Sequence, residues 1–202
     1  WSRKARLEYE RYYKQYLKGF EKMELAATAA LFGVRETRRI FGDYVLALED
    51  FKRRAVFPDE IGRYASPVDM HSAKPHRSSY TRFLKELSTL CLGQGESYGI
   101  PYRILTPQRL KNVLVAGRCV STDRYMQASI RMMPGCYITG QAAGVAAAMA
   151  ARRRGDTRQI AIRELQARLI KLGAYLPHCP RSGHASIQGN SIRSKKIPKT
   201  SP

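Results

Sequence analysis

Acidic residues are scarce in this chain. Its 202 residues hold 16 Asp and Glu against 36 Lys and Arg, a formal net charge of +20. Such an excess draws polyanions and membrane surfaces electrostatically, so a basic, non-enzymatic protein binding nucleic acid or another anionic surface is one reading. The motifs that would carry it are missing: there is no zinc-finger spacing, no RNA-binding aromatic signature and no basic helix with base-reading Asn or Arg. The other reading is a basic surface with a basic tail, balanced by acidic sequence elsewhere in a longer protein. Long apolar runs are also missing. No eighteen consecutive apolar residues occur, which excludes a transmembrane helix. The four cysteines, Cys91, Cys119, Cys136 and Cys179, include no C-x-x-C pair, so neither a zinc nor an iron–sulfur site is signalled and no metal is expected. Few cysteines and no secretory signal point to a reducing, cytoplasmic compartment. An initiating Met is missing too. The chain opens at Trp1 inside a polar helical pattern and reads as a piece of a longer protein.

What is present is ordinary globular patterning. Leu7, Tyr13, Tyr16, Leu17 and Phe20 recur at helical spacing among opposite charges, which predicts an amphipathic helix in residues 1–24. Arg35, Glu36, Arg38 and Arg39 are costly to bury unless paired. Either they pair with one another or one arginine holds an anion. Gly42 to Asp50 reads as a strand and then a helix start near Glu49 and Asp50. Residues 55–59 read as a turn and 61–65 as a short helix. Pro67 to His71 reads as a strand end that sets Asp69 and His71 on one face, suited to acid–base chemistry or to a structural pairing. Residues 72–81 read as a loop, 83–92 as a helix broken by Gly93 and Gly95, and 98–105 as a strand.

The chain is organised around Val113 to Ala116, an apolar run that Asn112 and Gly117 bound. It reads as a strand buried on both faces, inside a parallel sheet. Gly117 allows a ligand close to the backbone. After Pro134 and Gly135 come the small residues from Gly140 to Ala151, which predict a helix buried all round, with Gly140 and Gly144 on one close-packed face. Strand, glycine turn and helix N-terminus together form the geometry of an anionic-cofactor site. Arg152 to Arg154 and Gly155 should end the helix. A further helix should carry Ile162, Leu165, Leu169 and Leu172 and stop at Gly173. From Pro177 onward the sequence reads as a basic disordered tail.

Four blocks resemble the FAD-dependent oxidoreductases of the glutathione-reductase-like, two-dinucleotide-binding fold. They are Gly33 to Leu46, Pro67 to His71, Tyr98 to Arg103, and Val115 to Ser121 continued by Ser129 to Pro134 and Cys136 to Ala148. The resemblance implies an α/β fold: the C-terminal part of a Rossmann-like FAD-binding domain (residues 111–176), a mixed α+β substrate-side region (1–110) and the tail (177–202). It implies FAD as cofactor and a small-molecule substrate exchanging a hydride or electrons with it. By the resemblance, Gly117 and Arg118 lie by the ribityl and pyrophosphate. Ser129, Met133 and Cys136 pass near the isoalloxazine, and the N–H groups from Cys136 to Gly140, with Gln141, face its pyrimidine edge. His71 and Arg131 are the catalytic candidates. The family's G-x-G-x-x-G turn is absent, so the resemblance also implies a missing N-terminal half, without which the chain is inactive.

Overall fold

The computed structural model describes residues 2–31, 33–70 and 77–179. His71, the residues up to 76 and the tail from 180 lie outside them. The chain forms two compact units, one ending at Arg35 and one beginning at Glu36.

In the first unit α1 (Ser2–Tyr16) is the expected amphipathic helix. Its tyrosines stack along one face, with Tyr12 and Tyr16 centroids 5.0 Å apart and Tyr9 and Tyr13 6.0 Å apart. Lys14 pairs with Glu10 at 3.0 Å, one turn earlier.

The second unit holds α2 (Leu48–Lys52), β1 (Glu60–Tyr64), α3 (Arg77–Ser88), β2 (Tyr98–Pro101), α4 (Arg124–Ile130), α5 (Met133–Ala151) and α6 (Ile162–Lys171). β1 and β2 pair antiparallel, with Gly62 opposite Ile100 and Tyr64 opposite Tyr98. This overturns the helix expected at 61–65. Gly62 is a poor helix former, and a Cβ there would come within 2.5 Å of Ile138 Cγ2, so it is the bare backbone that lets β1 lie against α5. Downstream, β2 stops at Pro101 and a 3-10 turn, Tyr102–Ile104, takes over where a strand was expected. α3 begins at Arg77, inside the expected loop.

Three further expectations need correction. Val113 to Ala116 is extended but joins no sheet among the described residues. Its backbone is tied by Val115 N–H to Leu105 O at 2.9 Å, and its side chains are half-buried rather than buried on both faces. Residues 42–46 likewise make only isolated bridges, Gly42 to Pro107 and Leu46 to Thr122. An apolar run becomes a ladder only when neighbours offer their N–H and C=O groups. α5, in turn, is not buried all round. Gly135, Thr139, Ala142, Ala146, Met149 and Ala150 face the core, while Tyr137, Gly140, Gln141, Gly144, Ala147 and Ala148 are exposed. A Cβ at Gly140 or Gly144 would meet nothing within 4 Å. Uniformly small residues give a helix no preferred face, so composition does not separate its inside from its outside.

The C-terminal ends of the helices were read correctly, whereas α5 begins at Met133 rather than at Gly140, where the small-residue run was expected to start it. Gly155 closes α5 at φ +79°, donating to Ala150 O at 2.8 Å. Gly173 stops α6 at φ +91°, and Leu165 and Leu169 are fully buried, although Leu172 is exposed. Residues 177–179 are a turn rather than the start of a tail: Cys179 N–H bonds Leu176 O and packs against the core. The core itself joins Leu46, Phe51, Ile61, Tyr98, Ile100 and Ile104 with Met126, Ile130, Leu165 and Leu169.

Candidate functional site

The extended run ends at Gly117, whose φ of +73° is a conformation only glycine takes freely. Its N–H donates to Thr139 Oγ1 at 3.0 Å, and that hydroxyl donates to Gly135 O at 2.9 Å, one turn back in α5. The glycine turn is thereby fixed to the first turns of the long helix. The backbone angle makes glycine necessary here, since a Cβ would find its nearest neighbour, Cys136 Sγ, at 3.8 Å. Arg118 follows with an exposed side chain, and its carbonyl accepts from Gln127 Nε2 at 2.7 Å.

α4 is aimed by Asp123. One carboxylate oxygen caps its own helix at Met126 N–H (2.7 Å), and the other caps α2 at Leu48 N–H (2.7 Å). The corner from α4 into α5 is tight: a Cβ on Gly135 would collide with the Ile130 carbonyl, so Gly135 is required. Pro134, in the first turn of α5, suits a position with no carbonyl to bond.

Two predicted residues on this corner hold the segment leading to His71. Ser129 Oγ donates to Ser66 O at 2.8 Å and so accepts from Tyr98 OH, also at 2.8 Å; all of Ser129 is buried. Burial pushes the Tyr98 phenol far above its ordinary value, so it stays a donor. Arg131, 8% exposed, reaches Asp69 through Nη2, at 2.9 Å to the carbonyl and 3.3 Å to Oδ2. Its Nε is buried without a partner among the described residues. Leaving such an N–H unpaired costs about 1–3 kcal/mol, and natural structures leave few.

The fold brings Gly117, Cys136 and Arg131 together. Cys136 Sγ lies 3.4 Å from Arg131 O, and burial raises its thiol pKa, partly opposed by Arg118, so it remains a thiol. Met133 is 69% exposed on the outer rim. Gln141 stands apart, on a cleft of about 400 Å³ with Gly62, Tyr137 and Tyr175, and Gly140 lies on the open face. His71 is outside the described residues. Residues 35–39 are exposed. Sequence reasoning passed over Asp123 and Thr139. A carboxylate just before a helix was a visible capping signal, whereas nothing local marks Thr139.

The N-terminus of the nineteen-residue α5 has no side-chain cap, and neither has that of the shorter α6, whereas Asp123 caps α4 and Asp156 caps the 3-10 turn at Thr157–Gln159. The first N–H groups of α5, its positive dipole end and the orphaned Arg131 Nε suit a negatively charged or acceptor-rich group. Among the described residues no cluster of His, Cys, Asp and Glu is arranged for a metal ion, and no helix is long and apolar enough to cross a membrane.

Residues 2–169 match the family described as FAD dependent oxidoreductase. No curated protein and no solved structure matches the chain.

Proposed function

The chain belongs to the FAD-dependent oxidoreductases, and we propose that its own share of the work is to hold the ring end of FAD at the corner between Gly117 and the start of α5. FAD is the family's cofactor, and the residues present fit it: an uncapped helix N-terminus and a buried, unpaired Arg131 N–H both lack an acceptor. The unpaired N–H is the observation that carries the reading. When bound, FAD accepts or donates a hydride or an electron pair. The chain supplies the surroundings. Gly117 and Arg118 lie along the ribityl and pyrophosphate, Arg131 to Cys136 with Met133 pass beside the ring, and the positive end of the α5 dipole favours negative charge at its edge.

On the substrate side, Arg131 positions Asp69, and His71 two residues on is the acid–base candidate for a small molecule whose identity the site does not specify. The Arg131 guanidinium carries donors and no acceptor. The pyrophosphate cradle G-x-G-x-x-G is absent from the sequence, so a separate segment supplies it, and the unladdered run at 113–116 together with the open face of α5 is where its sheet would settle. Nothing in the family match favours the nucleic-acid reading.

The test is a flavin-fluorescence titration of the chain with and without a co-expressed segment bearing a strand and a G-x-G-x-x-G turn. Retention of about one FAD per chain is expected only with that segment, and Arg131→Met should weaken it at least tenfold. Full FAD affinity in the Arg131→Met protein would overturn the assignment.

A further inference from the structure

Asp69 meets Arg131 through two different groups. Arg131 Nη2 donates to the Asp69 carbonyl at 2.9 Å and to Asp69 Oδ2 at 3.3 Å. The carbonyl contact is the shorter. The backbone that carries it is fixed again at Ser66, whose carbonyl accepts from Ser129 Oγ at 2.8 Å. Ser129 and Arg131 both stand at the end of α4, so main-chain oxygens at each end of the segment 66–69 tie it to one corner. Main-chain oxygens therefore set the position, and what the Asp69 carboxylate adds is charge. The Arg131 side chain is 6% exposed and that of Asp69 39% exposed. A nearly buried cation is offset by an anion that stands partly in water.

The Nε of the same guanidinium is buried and has no acceptor among the described residues. The positive charge is delocalised over the whole guanidinium plane. Any group that fills the acceptor position at Nε meets the Arg131 charge less whatever Asp69 cancels. Uptake of two electrons and one proton leaves one negative charge on a flavin ring. A fixed cation nearby favours that charge, and a fixed anion disfavours it.

We propose that Asp69 sets the reduction potential of the flavin held at this corner, offsetting the Arg131 charge and so keeping the potential lower than the cation alone would make it. The inference rests on the FAD reading above. Asp69 acts through Arg131 and is not itself a catalytic residue. A merely structural ion pair would affect folding when broken and would leave the potential of the bound flavin where it was.

The test takes the chain assembled with the co-expressed G-x-G-x-x-G segment and loaded with FAD, and reduces it stepwise with dithionite against a reference dye. Asp69→Asn keeps the carbonyl contact and a side-chain oxygen for Nη2 while removing the charge. It should shift the two-electron equilibrium at least tenfold toward the reduced form, a rise of about 30 mV or more. Asp69→Glu, which keeps the charge, should hold the wild-type potential. Glu164→Gln makes the same charge change at the far end of α5, where Glu164 pairs with Arg153, and should also leave the potential unchanged. Asp69→Ser is a second neutral replacement should the Asn variant not fold. An unmoved potential in a neutral variant that holds FAD, or an equal rise from Glu164→Gln, overturns the proposal and leaves the FAD reading intact. Loss of the fold in both neutral variants overturns it too, because the pair is then structural. A wild-type assembly that retains no FAD overturns the FAD reading, and this inference falls with it.

Discussion

Glu60 is the residue whose chemistry is most constrained by its surroundings. It is 3% exposed, pairs with a buried Arg63 at 3.1 Å, and sits where a Cβ on Gly99 would collide with its carboxylate. Burial raises its pKa above the ordinary glutamate value, and Arg63 and the Phe57 N–H offset this only in part. A raised carboxylate binds more protons folded than unfolded, so stability falls as pH rises through the interval between the two pKa values. Wild-type stability should therefore decline relative to Glu60→Gln as pH rises through that interval, read from denaturant midpoints. Parallel pH profiles of the two proteins would refute the assignment. At the corner from α4 to α5, Gly135→Ala sets a methyl on the Ile130 carbonyl, which cannot move without opening the corner. The loss should be on the order of 1–3 kcal/mol, and FAD binding should fall with it, because Arg131 and Cys136 lie on either side of that glycine.

At the level of elements, α5 shows what local sequence does and does not encode. Its start at Met133 lies ahead of the Gly140 expected for it. Its C-terminal end was legible, Gly155 just past it being a backbone signal that acts through its own angle. Its facing was not, because Ala and Gly fit equally well inside or outside. Residues 61–65 failed for a related reason: the alternative to a helix there, β1, depends on β2 some forty residues away and on Ile138 of α5. Val113 to Ala116 carries the composition of a central strand, and the described residues provide no strands to flank it. The candidate site was legible in part. Gly117, Cys136 and Arg131 do converge, while Ser129 proves to be an internal tether and Gln141 belongs to a different cleft. The open face of α5 gives a direct test. With nothing within 4 Å of either position, Gly140→Ala and Gly144→Ala should each stabilise the isolated chain by about 0.5–1 kcal/mol through helix propensity alone. The same changes should weaken assembly with a segment carrying G-x-G-x-x-G, if its backbone approaches this face as proposed. Destabilisation of the isolated chain would mean that the face is already covered.

Across the whole molecule the charge is unevenly spent. The few acids are largely engaged within the fold: Asp50 with Arg53, Asp59 with Arg103, Glu60 with Arg63, Asp69 with Arg131, Glu96 with Arg54, Asp43 with Arg158, and Glu164 with both Arg153 and Arg168. Asp123 and Asp156 serve as helix caps. Each acid so paired neutralises one cation, and the net surplus of +20 dominates what an approaching polyanion meets. Only five cations, Arg181, Arg193, Lys195, Lys196 and Lys199, lie in residues 180–202. Weak DNA binding at low salt should follow from this surplus, with no sequence preference and a steep loss as salt rises. Deleting residues 181–202 should reduce the slope of log affinity against log salt by no more than about 4.5, five contacts at about 0.9 each, and leave binding by the folded part. Equilibrium titrations of two unrelated duplexes over a salt series measure both quantities. A duplex preferred more than tenfold, still preferred after the deletion, would show a base-reading surface on the folded part and refute the view that the charge is only a field.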